Sequence, residues 1–196
     1  MIRKLGNARA RKVLAAAGDE FARRGFEGAR VDLIARRAGV NKQLVFYYYQ
    51  SKRGLFQAVV SRAAQELEKA LVELVIPAGR PLDRIRRALE AQFDYMARRP
   101  DLVALLSQGG RAEGASFAPA IKRVVVLLAE GQGRGEVRDD LDPHVAAAQA
   151  LVLMVGYLRH EGVIAASAPP LIADEPALRE RWRKGVVDLV VNGVRA

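Results

Sequence analysis

With 196 residues, 51% of them hydrophobic, the chain is long enough to bury a sizeable core in one large domain or two small ones. It has no cysteine, which excludes disulfides and thiolate metal sites and fits a reducing compartment. The formal charge is +10, and all of it belongs to the first third: residues 1–62 hold fourteen Lys and Arg against four Asp and Glu, and the remainder holds eighteen against eighteen.

That asymmetry leaves two readings open, a polyanion-binding module joined to a neutral body or a solvated charged face. The pattern along the chain is helical throughout, without alternating β-type segments. A first helix is predicted from about Ala8 to Arg24, with Val13, Leu14, Ala17 and Phe21 along one face and Gly25 as its stop. A second covers about Asp32 to Ala38. A third starts after Asn41, a good N-cap, and runs to about Tyr49. Ser51 caps a long fourth helix, from Lys52 to about Leu74, before PAGRP (77–81) breaks the chain.

The fifth helix is expected over Leu82 to Arg98, with Ile85, Leu89, Phe93 and Met96 on one face. A short sixth is bracketed by Pro100 and the pair 109–110, and a seventh spans about Ala118 to Glu130. Pro143 opens the eighth and Asp142 caps it. The ninth runs from about Ala177 to Gly193, after a loop at 168–176. The fold class is therefore all-α, with about nine helices. No apolar run reaches the roughly 18–20 residues of a membrane span, since VAAAQALVLMVGYL (145–158) is too short and is flanked by His144 and Arg159. The basic N-terminus lacks the apolar stretch of a signal peptide, so a cytoplasmic protein without membrane contact is expected.

Within the basic third, IARRAGVNKQLVFYYYQSKRGL (34–55) carries the chemistry. Two short helices joined at AGV leave room for a turn of about four residues, with Gly39 where a positive φ is needed. Ala35 allows close approach of the two helices, and Val45 points back into a small core with Ile34, Ala38 and Val40. This spacing is the sequence form of a helix-turn-helix. Four consecutive helical residues point in four directions, so the run Phe46 to Tyr49 cannot all be core. Tyr49, four residues after Val45, faces inward. Tyr47 and Tyr48 face out, where a hydroxyl can donate to phosphate oxygens, and an exposed Phe46 can touch a thymine methyl.

Residues 10–60 resemble the DNA-binding domain of the TetR family of bacterial transcriptional regulators. The resemblance rests on Phe21…Gly25–Phe26, on Ile34–Ala35…Ala38–Gly39–Val40, and on Val45–Phe46–Tyr47–Tyr48–Tyr49–Gln50–Ser51–Lys52…Leu55. It implies a DNA-binding domain over 7–67, with its motif at about 30–49, and an effector-binding and dimerisation domain over 68–196. Tyr47, Tyr48 and Lys52 match positions that commonly contact the DNA backbone, while Lys42, Gln43 and Phe46 lie where bases are read. The chain departs from the family pattern at Ala29–Arg30, where a Thr/Ser pair is usual and Arg30 instead offers a cation to DNA. It departs again at Gln43–Leu44, Phe46 and Tyr48. No operator sequence transfers across these differences.

Other signals have plainer explanations. GQGRG (131–135) has no strand before it and reads as an interhelical loop rather than a phosphate loop. DDLD (139–142) with His144 reads as a helix N-terminus rather than a metal site, and His160 as a solvated helix end. No metal and no cofactor is expected. Two histidines, no cysteine and no acid pair leave little for catalysis, so the chain is not expected to be an enzyme.

The eighth and ninth helices, with Val155, Trp182, Val186, Leu189 and Val190, are expected to form a four-helix interface in a homodimer, as in the family. Phe93, Met96, Leu105, Phe117 and Tyr157 are expected to line a site for a small apolar or amphipathic effector, with Gln92 and Gln108 orienting its polar end. The expectation is a ligand-responsive repressor on a palindromic double-stranded DNA operator. The alternative is a DNA-binding regulator with no small-molecule effector.

Overall fold

The computed structural model describes residues 2–74, 76–108, 117–167 and 175–196. Among them are nine α-helices: α1 (Ile2–Gly28), α2 (Val31–Ala38), α3 (Lys42–Tyr49), α4 (Lys52–Glu73), α5 (Pro81–Ala97), α6 (Pro100–Gln108), α7 (Ala118–Gly133), α8 (Pro143–Ser167) and α9 (Glu175–Val194). The one β-type pairing among these residues is a single bridge between Val137 and Arg195. The pair 109–110 and most of the loop at 168–176, both read from the sequence, lie outside the described residues.

The helices form two compact units, residues 1–66 with 101–117, and residues 67–100 with 118–196. The first is built on α1, α2 and α3 with the start of α4, and its core holds Val13, Ala17, Phe21, Ile34, Ala35, Ala38, Val45 and Leu55. Phe21 meets Phe56 edge-on, with ring centroids 5.0 Å apart, and Phe56 lies 5.1 Å from Phe26. α1 begins before the predicted Ala8 and continues past the predicted stop. Gly25 does break the helix geometry (φ 70°, ψ 175°), but one more turn resumes beyond it. α6, expected with the C-terminal half, groups with the first unit. There the Gln108 side-chain amide donates to the Phe21 carbonyl at 3.3 Å and to Ala104 at 3.0 Å.

In the second unit α5, α7, α8 and α9 pack around Ile85, Leu89, Phe93, Met96, Val124, Leu128, Met154 and Val187. Asp142 caps α8 as expected: the His144 N–H donates to its carboxylate at 2.7 Å, and that bond holds the Asp142 carboxyl below its usual range. α8 corrects one expectation. The helix passes through Arg159 and a distortion at His160 (φ −121°) into the apolar residues beyond, reaching 25 residues. Its most apolar eighteen-residue window has a mean hydropathy of 1.2, so by length and composition it meets the requirement for crossing a membrane.

Candidate nucleic-acid interface

The turn between α2 and α3 follows from its residues. Gly39 takes the left-handed conformation (φ 68°, ψ 35°), its N–H and that of Val40 close onto the last turn of α2, and α3 starts at once. Asn41 caps α3 by accepting from the Leu44 N–H at 2.8 Å. Val45, 1% exposed, anchors α3 into the core. The exit is equally tight. Gln50 adopts a positive φ of 61° and donates its N–H to the Phe46 carbonyl at 2.7 Å, and Ser51 accepts from the Gly54 N–H at 2.9 Å. A Cβ at Gly54 would stand 2.2 Å from the Tyr49 carbonyl oxygen, so only glycine fits this junction.

With α3 fixed at both ends, its outward face presents Lys42, Gln43, Phe46 and Tyr47, all exposed. Tyr47 is 79% exposed, far beyond what a core role would leave, and Phe46 is 36% exposed with the Lys42 ammonium 5.8 Å from its ring centre. Tyr48 is only half-buried, edge-on to Tyr47 at 5.5 Å and to Tyr49 at 6.3 Å. Tyr49 turns inward as expected, and its hydroxyl donates to the Ala10 carbonyl at 2.8 Å, tying α3 to α1. Burial raises the pKa of that phenol.

Two of the expected cations are already engaged. Arg30 chelates Asp32 at 2.9 and 3.3 Å and does not cap α2; its guanidinium lowers the Asp32 pKa. Lys52 is half-buried, 4.9 Å from the Phe26 ring centre, and donates to the Glu27 carbonyl at 3.0 Å, which fixes its ammonium beside the end of α1. Chemically, the face combines cations and a phenol hydroxyl suited to phosphate oxygens with an amide and an apolar ring suited to base edges.

Glu20 is the residue that sequence reasoning missed. It is fully buried on α1, its Oε2 accepts from Arg37 of α2 at 2.8 Å, and its Oε1 lies 3.3 Å from the Arg24 Nε without hydrogen-bond geometry. Its signal was available: Glu20 stands on the apolar stripe of α1 itself, three residues after Ala17 and seven after Val13.

The remaining expected residues are dispersed. Leu105 (6% exposed) and Phe117 belong to the first unit, whereas Phe93, Met96 and Tyr157 belong to the second. Phe93, Met96 and Tyr157 are at most 1% exposed. Tyr157 stacks on Phe93 at 6.2 Å and on Trp182 at 4.7 Å, so the half-buried Trp182 joins that aromatic cluster with one side while also lining a surface groove with Leu189. Gln108 is committed to the Phe21 carbonyl. Gln92 is 1% exposed and its Oε1 has no donor. Among the interface residues, Val186 and Val190 are buried within the protomer at 5% and 9%, and Val155 is half-buried. Leu189 stands out at 64%, beside Val145 at 53% and Val152 at 68% on α8. Among the described residues no three His, Asp or Glu side chains gather as a metal site.

Comparison with known proteins finds matches over both halves of the chain. A model of bacterial regulatory proteins of the tetR family matches residues 13–59, and a tetracyclin repressor-like C-terminal domain model matches residues 81–190. The HTH-type transcriptional repressor SCO4008 of Streptomyces coelicolor is 36% identical over 135 residues, 65% of this chain and 67% of that protein. The HTH-type transcriptional repressor NicS of Pseudomonas putida is 26% identical over 193 residues, 93% of this chain and 91% of that one. The crystal structure of the regulator SCO4942 from Streptomyces coelicolor superposes with a TM-score of 0.72 at 30% identity, over 94% of this chain and 97% of that one.

Proposed function

The chain belongs to the TetR family of bacterial regulatory proteins, and from that membership we propose that it is a ligand-responsive repressor which binds a palindromic operator as a homodimer. The observation that carries the DNA half of this reading is the bare, buttressed face of α3. Tyr47 stands 79% exposed with Phe46, Lys42 and Gln43 beside it, and its one ring contact among the described residues is the edge of Tyr48, which leaves most of the phenol to solvent. In the major groove Lys42, Gln43 and Phe46 read base edges, while Tyr47, Tyr48, Lys52 and Arg30 hold phosphates. Lys52 and Arg30 do so as pre-positioned cations, because their intramolecular bonds already fix their direction.

The exposed Val145, Val152 and Leu189 supply the homodimer face. The C-terminal family match spans α8, which supports reading its apolar exposed side as facing a second subunit rather than lipid. Two copies related by a two-fold axis then present two α3 helices to the two halves of a palindrome.

The effector half rests on Gln92. A carbonyl oxygen buried in the second unit without a donor costs free energy that a ligand hydroxyl or N–H would offset. An apolar or amphipathic effector entering among Phe93, Met96 and Tyr157 must displace packed rings, and it releases DNA by binding the displaced, DNA-incompetent arrangement more tightly than the DNA-competent one. Selection of bound duplexes from a random pool, followed by release assays with a library of apolar compounds, tests both halves. A two-fold symmetric sequence released by a compound supports the full reading. A symmetric sequence that no compound releases leaves a regulator controlled by other means.

A further inference from the structure

A groove of about 390 Å³ opens in the second unit between the end of α4, the start of α5 and α7, away from the residues assigned above to DNA, effector and dimer contacts. Its floor is apolar: Leu71 and Leu127 are buried, and Val72 and Val126 rise from it 78% and 59% exposed, so two large valine surfaces lie bare beside it. Isolated exposed valines are ordinary. A pair of them lining one groove with a half-buried guanidinium is not.

That guanidinium is Arg123. One of its N–H groups donates to the Leu74 carbonyl at 2.6 Å and so caps the end of α4, but its Nε is buried with no acceptor. No carboxylate among the described residues pairs with it, and partial burial lowers its pKa. Arg84 also lines the groove. It is paired with Glu130, yet its Nε too is buried without a partner. Lys122 adds an exposed cation and Glu68 an exposed anion at the same groove, so the charge that its own residues leave uncompensated is positive.

We propose that this groove binds a small amphipathic carboxylate, its alkyl part lying on Leu71, Val72, Val126 and Leu127 and its head group meeting Arg123. An ammonium or neutral amphiphile lacks the complement to a half-buried guanidinium whose Nε has no acceptor, while a carboxylate forms charge-assisted hydrogen bonds with it. The volume falls in the range of small-molecule sites. A cap on α4 alone would need only the one N–H that Leu74 takes. It would leave unexplained why an unpaired cation is held against bare valines.

The probe is sodium dodecanoate below its micelle concentration, with dodecanol as the neutral control, titrated calorimetrically into the full chain. Saturable binding of dodecanoate at least tenfold tighter than dodecanol is expected. Arg123→Gln and Val126→Glu should each weaken it at least tenfold. Val126 is exposed, so Val126→Glu places a repelling carboxylate in the groove without disturbing the core, and Arg123→Lys should recover part of the affinity. Arg86→Gln, outside the groove, should change nothing. Equal binding of dodecanol, dodecanoate affinity indifferent to Val126→Glu, or association with phosphatidylglycerol vesicles in place of the free carboxylate would overturn the assignment.

Discussion

The carboxylate of Glu20, with no exposed surface, accepts a 2.8 Å hydrogen bond from the Arg37 guanidinium, which is 41% exposed. The pair joins α1 to α2 and so sets the platform from which the turn at Gly39 launches α3. Its two members are not equivalent. Removing the arginine leaves a charge buried, and removing the carboxylate leaves a cation that water can reach.

Arg37→Ala should therefore destabilise more than Glu20→Gln. Stranding the buried carboxylate, with the misaligned Arg24 as its remaining cationic partner among the described residues, costs about 3 kcal/mol, against about 1–2 kcal/mol for a neutral amide in the same place. Denaturant midpoints of the two variants measure the difference. Equal losses would mean that the bond is weaker than its geometry.

Tyr47 and Tyr49 separate binding from folding. Tyr47→Ala should leave stability within about 0.5 kcal/mol, since the side chain is mostly solvated, and should weaken operator binding several-fold. Tyr49→Phe should lose about 1 kcal/mol of stability with the hydrogen bond to Ala10. Thermal melts and anisotropy titrations on the same preparations give both numbers. A Tyr47 variant with full DNA affinity would remove this residue from the interface.

The dimer face is tested at Leu189 and Val152, not at Val190. Val190→Arg puts a charge into the protomer's own core and should unfold it. Leu189→Arg and Val152→Arg change exposed positions; the parent is expected to sediment as a dimer, and each variant as a monomer that circular dichroism shows to be folded and helical at the same concentration. A dimer that survives both changes places the interface elsewhere.

Glu161 gives the second unit an acid-sensitive tie. Arg179 donates to its carboxylate at 2.7 Å from two nitrogens and Tyr157 at 3.0 Å, and Arg179 first, then Tyr157, hold its pKa below the usual range. A carboxyl depressed in the folded state stabilises above its unfolded pKa of about 4.3, and the benefit is lost as pH falls through the folded value. Glu161→Gln should lower Tm at pH 6 and converge on the parent as pH falls below the usual carboxylate range. A gap of constant size across that range would show that the ion pair contributes nothing.

The first unit was the more legible in sequence because its constraints are local. Gly39, Asn41, Ser51 and the four-residue step from Val45 to Tyr49 each act within a few residues, and each behaves in the structure as its chemistry requires. Contacts between distant segments were not legible: Gln108 on Phe21, Arg37 on Glu20 and Trp182 on Tyr157 depend on how helices pack. The second unit was harder for the same reason. On α9 the sequence does not announce which side its own protomer covers, so Val186 and Val190, next to the exposed Leu189, read like outward residues although the protomer itself largely buries them.

The central claim, that the basic first third grips DNA through α3, is tested most directly by the salt dependence of binding. Anisotropy titrations of a duplex selected from a random pool, run across salt concentrations for the parent and for Lys52→Ala, give the slope of log affinity against log salt. The account predicts a steep negative slope that becomes shallower by about 0.9 for each phosphate-bound cation removed, and a two-fold symmetric protected sequence. A flat slope, or equal affinity for the selected and scrambled duplexes at every salt concentration, would contradict it.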